Sequence, residues 1–182
     1  MFKKNNPGCQ CCNDACVIVS DTFGSNSIGY YTIHSGSWSI SGGELDGSGI
    51  ITHDTADTDG DHTLLVCVKT ANYGDSAKFI VKFLDSNNYY FAKWTINTGD
   101  CGKMELWERK AGVETELTDS DLGDWDGFSL DTFYQFRVCI DTTRMRCSFL
   151  DGDPWQVVYS DISSPTLGTK CGVGGPSTYD LI

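Results

Sequence analysis

The chain has 182 residues, 40% of them hydrophobic and 12% aromatic, which suits one all-β domain with a full core and excludes a disordered chain. Its 25 acidic and 13 basic residues give a formal net charge of −12, the wrong sign for neutralising phosphates, so no nucleic acid is expected as a partner. No apolar run is long enough to span a bilayer, and no membrane insertion is expected.

Residues 1–16 read as a polar, cysteine-rich N-terminal arm, with Cys9, Cys11, Cys12 and Cys16 crowded behind the turn-forming Pro7-Gly8. From Val17 to residue 182, aromatic and β-branched runs alternate with Gly, Asn, Asp and Ser. They predict strands over 17–23, 37–40, 44–46, 49–52, 63–70, 77–84, 88–96, 103–109, 113–117, 133–141, 144–150, 155–159 and 171–174. Within Gly36-Ser-Trp-Ser-Ile-Ser-Gly-Gly-Glu-Leu45, Trp38 and Ile40 alternate with serines, and Gly42-Gly43 predicts a tight reversal. The stretch from Glu116 to Gly127 carries too many aspartates and glycines for a helix.

Alternation assigns faces to the central strands. Phe79, Val81 and Phe83 share one side, as do Tyr90, Ala92, Trp94 and Ile96, then Met104 and Leu106, then Tyr134, Phe136, Val138 and Ile140. These sets are the expected core between two sheets. If Ile140 pairs with Met145, Val138 meets Cys147 inside while Cys139 points outward beside Arg146, so Cys139 and Cys147 cannot bridge each other.

The opposite set supplies the candidate ligand-binding surface: Tyr89, Phe91, Lys93, Trp107, Arg109, Gln135 and Arg137. Exposed aromatics stack on the apolar faces of sugar rings, and amides and cations bond the hydroxyls. The competing expectation is that loops or a partner subunit cover this face, or that Trp107 simply packs under a long arginine. The loop carrying Asp54, Asp57, Asp59 and Asp61 spaces oxygen ligands around Gly60 as a calcium site does, without the closing glutamate of an EF-hand. A second acidic stretch, Asp119 to Asp126, is read as an ion site or an ordinary turn.

Nine cysteines favour an oxidising compartment, although Met1-Phe-Lys-Lys-Asn-Asn lacks the apolar segment of a secretory signal. The expected location is extracellular, at a cell surface or in a virion. The crowded thiols are open to three readings: a zinc knot, an interchain cross-link, or disulfides pinning the arm to the domain. The last is preferred, with Cys101 or Cys171 as partners.

Asp21-Thr-Phe23 leading through a loop to the Gly36–Leu45 hairpin resembles the opening of the concanavalin A-like, laminin-G-type superfamily. The segment Cys171-Gly-Val-Gly-Gly-Pro-Ser-Thr-Tyr-Asp-Leu-Ile182 resembles its closing strand, which pairs near the first. The resemblance implies a jelly-roll β-sandwich of two antiparallel sheets, and a calcium ion at the rim as in many such domains. Laminarinase-type relatives carry Glu-x-Asp-x-x-Glu on one strand. Here Glu44-Leu-Asp46 lacks the second glutamate, and Glu105 and Glu108 fall on opposite faces. The expectation is therefore a non-catalytic binding module for a glycan or a surface partner. The alternatives are a structural subunit of a virion, fibre or cell-surface assembly, including a homo-oligomer, and a diverged glycoside hydrolase.

Overall fold

A computed structural model describes residues 17–18, 23, 27–54, 62–98, 101–121, 128–141, 143–150, 157–162 and 168–180; the arm over 1–16 and its cysteines lie outside them. The strands begin with β1 (Val17–Ile18), β2 (Tyr31–Ser41), β3 (Glu44–His53) and β4 (His62–Lys69). Next come β5 (Ser76–Asp85), β6 (Asn88–Asn97), β7 (Cys101–Lys110) and β8 (Val113–Asp121). The chain ends in β9 (Tyr134–Ile140), β10 (Arg144–Phe149), β11 (Val157–Asp161), β12 (Lys170–Gly174) and β13 (Ser177–Asp180). A single 3-10 turn, Ser27–Tyr30, precedes β2. The predicted strands 44–46 and 49–52 are one strand, β3.

The hairpin turns where its glycines predict. Gly42 and Gly43 take φ values of 63° and 86°, and Ser41 pairs with Glu44 across them. Trp38 and Leu45 face inward and are buried. The first half of β3 pairs with β13, and through it joins β4, β9, β10 and β11; the second half pairs with β12 and joins β5, β6, β7 and β8. Both β12 and β13 run antiparallel to β3, so they form one strand course, broken at Gly175-Pro176, that passes from one layer to the other. β1 and β13 lie on the same edge of β4, as expected for closing and first strands, although β1 pairs in parallel.

The passage between layers is a crease lined by glycine. Gly36 and Gly49 are direct partners with φ of 77° and 107°. A Cβ on Gly49 would collide with the Ser35 carbonyl, and one on Gly36 with that of Ser48. The Gly175 N–H donates to the Gly49 carbonyl, 3.0 Å away. With no side chains between them, three strands approach closely enough to bend together.

The two layers close over a continuous apolar core. Phe136 of β9 meets Phe79 of β5 and Trp94 of β6, with ring centroids 5.1 and 5.0 Å apart. The expected inward sets are found there, with one correction. Phe83 packs with Ile80, Tyr89 and Phe91 on the outer side of the β5–β8 layer. Lys82 takes φ 51°, a bulge that reverses alternation beyond Val81.

β9 and β10 adopt the predicted register, with Ile140 opposite Met145, Cys139 opposite Arg146, and Cys147 opposite Val138. Cys147 is a buried thiol, and burial pushes its pKa up. Cys171 also departs from expectation: it is a free thiol packed in the core, its pKa pushed up to about 12 by burial, rather than a disulfide partner for the arm.

Candidate functional site

On the outer side of the β5–β8 layer, rings from adjacent strands form a row. Phe83, Tyr89, Phe91 and Trp107 follow one another at centroid distances of 5.6, 5.5 and 6.1 Å, the last pair nearly parallel at 13°. His34 extends the row, 4.4 Å from Phe83, with its Nε2 2.8 Å from the Thr52 hydroxyl. Its pKa is lowered, first by burial and then by Lys170.

The row is not a bare aromatic platform. Tyr89 and Phe91 are fully buried, contrary to the expectation of exposed rings. The Lys78 ammonium lies 4.4 Å from the Phe91 ring centre, and the Arg109 guanidinium 6.0 Å from that of Tyr89. Long cationic side chains thus lie along the rings, on Phe91 and Tyr89 rather than as an arginine over Trp107. Trp107 remains half-buried at the end of the row, with Lys93 Nζ 5.5 Å from its ring centre. Its Nε1–H is covered and has no partner, so the ring surface is what it offers a ligand.

Trp107, Lys93, Lys78 and Glu114 wall a groove of about 380 Å³ that extends to Asp75 and Pro176 at the crease. Its lysines and its glutamate are paired. Glu114 Oε1 accepts from Lys78 and Arg109, each 3.0 Å away. Glu105, behind Trp107 on β7, accepts from Lys93 and Lys103, each 2.9 Å away. Burial alone would raise both carboxyl pKa values, but these cations outweigh it and hold both groups below the usual carboxylate range. A second groove of about 290 Å³, lined by Ser48, Asp46, Asn72 and Thr178, meets the first at Asp75 and Pro176.

The structure gathers Tyr89, Phe91, Lys93, Trp107 and Arg109 on adjacent β6 and β7, but Gln135 and Arg137 lie elsewhere. They belong to β9 in the other layer, whose outer side faces the opposite way, and Arg137 is buried. Alternation specifies a face within a sheet but not which sheet carries it. Asp75 and Pro176 were missed by sequence reasoning. The signals for them were the turn Asn72-Tyr-Gly-Asp75 and the run Gly174-Gly-Pro176, read only as loop and closing strand.

Asp54 is exposed, takes the Thr32 hydroxyl, and lies 3.6 Å from Lys170 Nζ. Asp57, Asp59 and Asp61 fall outside the described residues, and no group of metal-binding side chains assembles among the described ones. The carboxylates weighed for catalysis are engaged separately. Glu44 pairs with Lys69 at 2.9 Å, Asp46 accepts from Thr178 at 3.0 Å, and Glu108 accepts from the Tyr90 hydroxyl at 2.9 Å. No helix among the described residues is long and apolar enough to cross a membrane.

No family model matches the chain, and no curated protein matches it. Solved structures do. The GH43 BlXynB protein from Bacillus licheniformis superimposes with a TM-score of 0.59 at 14% identity, over 88% of this chain and 37% of its own. The xylan β-1,4-xylosidase from Bacillus halodurans C-125 gives 0.52 at 14% identity, over 76% of this chain and 31% of its own. The CBM2 module of the evolved Dit of Lactobacillus casei BL23 phage J-1 gives 0.52 at 10% identity, over 92% of this chain and 80% of its own. This chain therefore spans about a third of the two bacterial proteins and most of the phage module. At these identities the likeness is one of fold: the chain is an all-β sandwich of the jelly-roll type.

Proposed function

We propose that this chain is a non-catalytic module that binds a glycan in the groove over Trp107. The carrying observation is the half-buried indole, the end of the aromatic row still open to a ligand, set among ionised side chains already fixed by their partners. A sugar ring stacks on the indole, while Lys93 and Glu114 offer a donor and an acceptor to its hydroxyls at little ordering cost. Two neighbours in fold, a xylan β-1,4-xylosidase and a CBM2 module, lend support. Against hydrolysis stands the ionised state of Glu105 and Glu114, since a glycosidase needs one carboxyl held protonated beside a second. Calorimetry with xylo-, cello- and manno-oligosaccharides tests the proposal. Trp107→Ala should weaken binding at least tenfold, about 1.5 kcal/mol of lost ring contact, with an unchanged circular dichroism spectrum. A wild-type protein that binds none of them overturns it.

A second reading, a component of a virion or surface assembly, is favoured by the match over most of both chains to a phage module. A covalent or large oligomer in size-exclusion chromatography without reductant supports this reading, and a monomer with and without reductant removes it.

A further inference from the structure

We infer that the ligand is a neutral, linear glycan that runs over the crease, from the Trp107 groove into the groove beside Ser48, Asn72 and Thr178. This rests on the glycan reading of the first groove and deepens it.

The two grooves share Asp75 and Pro176. Alone, their volumes of about 380 and 290 Å³ lie at the small end of the roughly 300–1,000 Å³ that ligand sites occupy. Sharing two residues, they lie side by side, so a ligand too long for either one can occupy both as a single channel. The crease makes the channel possible. Gly175 lines the first groove and Gly47 the second, each without a side chain to fill it, and the break at Gly175-Pro176 leads from the first groove into β13, whose Ser177 and Thr178 line the second. A ligand that occupies both grooves has to extend past Asp75 and Pro176, as a linear chain does.

The chemistry of the two ends differs. The first offers an aromatic surface. The second has no aromatic ring in its lining and presents hydroxyls, an amide and two carboxylates, the groups that bond sugar hydroxyls. Those side chains are positioned in advance: Asn72 donates to Asp75 at 2.9 Å, and Thr178 to Asp46 at 3.0 Å. No lysine or arginine lines the second groove, and Lys78 and Lys93 in the first are paired with glutamates. With a chain charge of −12, this channel disfavours a polyanionic sugar.

The test is calorimetry with neutral oligosaccharides from disaccharide to hexasaccharide, using wild type, Trp107→Ala, Ser48→Arg and Asn72→Ala, with thermal melts confirming that each variant folds. Ser48 is exposed, so an arginine there obstructs the second groove without entering the core. Wild-type affinity should rise with chain length. Ser48→Arg and Asn72→Ala should leave the shortest binder unchanged and weaken the longest at least fivefold, whereas Trp107→Ala weakens all lengths. Length-independent affinity, with Ser48→Arg and Asn72→Ala without effect but Trp107→Ala weakened, overturns the channel and leaves the first groove standing. Failure of every neutral oligosaccharide to bind overturns both. Tighter binding of polygalacturonate fragments than of neutral chains overturns the neutral assignment.

Discussion

Glu105 lies almost fully buried beneath the ammonium groups of Lys93 and Lys103. A carboxylate in that position is stabilising only while ionised. Its folded-state pKa is below the ordinary 4.5, so its contribution is complete above the unfolded value and disappears as pH falls through the folded one. Glu105→Gln should therefore lower stability by about 2 kcal/mol at neutral pH. The gap in melting temperature from wild type should close as the solution is acidified below pH 4.5; a constant gap down to pH 3 would show that the ion pairs contribute nothing. The same cluster shows how far alternation reaches. It placed Glu105, Trp107 and Arg109 on one side of β7, opposite Met104 and Leu106, as the structure has them. It could not reveal that Lys78 folds over Phe91, because the reach of a flexible side chain depends on its neighbours across the sheet.

At the level of strands, two irregularities shape the molecule. The bulge at Lys82 sends Phe83 outward to join the aromatic row, and nothing in Lys78–Phe83 announces it, since every residue type there suits a regular strand. The crease is more legible, because glycine recurs in β2, β3 and β12, though repetition alone did not show that the three sets align. The cost of removing such glycines should separate crease from turn. Gly42 has φ 63° but open space around it, so Gly42→Ala should cost about 1 kcal/mol. Gly49 has φ 107° and main chain against the missing Cβ, so Gly49→Ala should cost more than about 2 kcal/mol. Chemical denaturation of the two variants measures both, and equal costs would mean the crease relaxes freely.

For the molecule as a whole, the acidic surface and the all-β spacing were evident from composition, and the strand list fell close to the observed one. What composition could not supply is the assignment of β9 to the layer across the core from β6, which puts Gln135 and Arg137 on a different layer from Trp107. Long-range pairing decides that, and no local pattern encodes it. The strand course from β12 to β13 bears on how the protein opens. Each layer borrows hydrogen bonds from the same two chain segments, β3 and β12–β13, so neither layer can come apart while the other stays whole. Amide protons of β4 and β6, in separate layers, should then exchange with deuterium at one shared free energy of opening; a lower value for either strand would mean that the layers breathe independently. A fold bent across a seam of glycine is thus expected to open as a single cooperative unit.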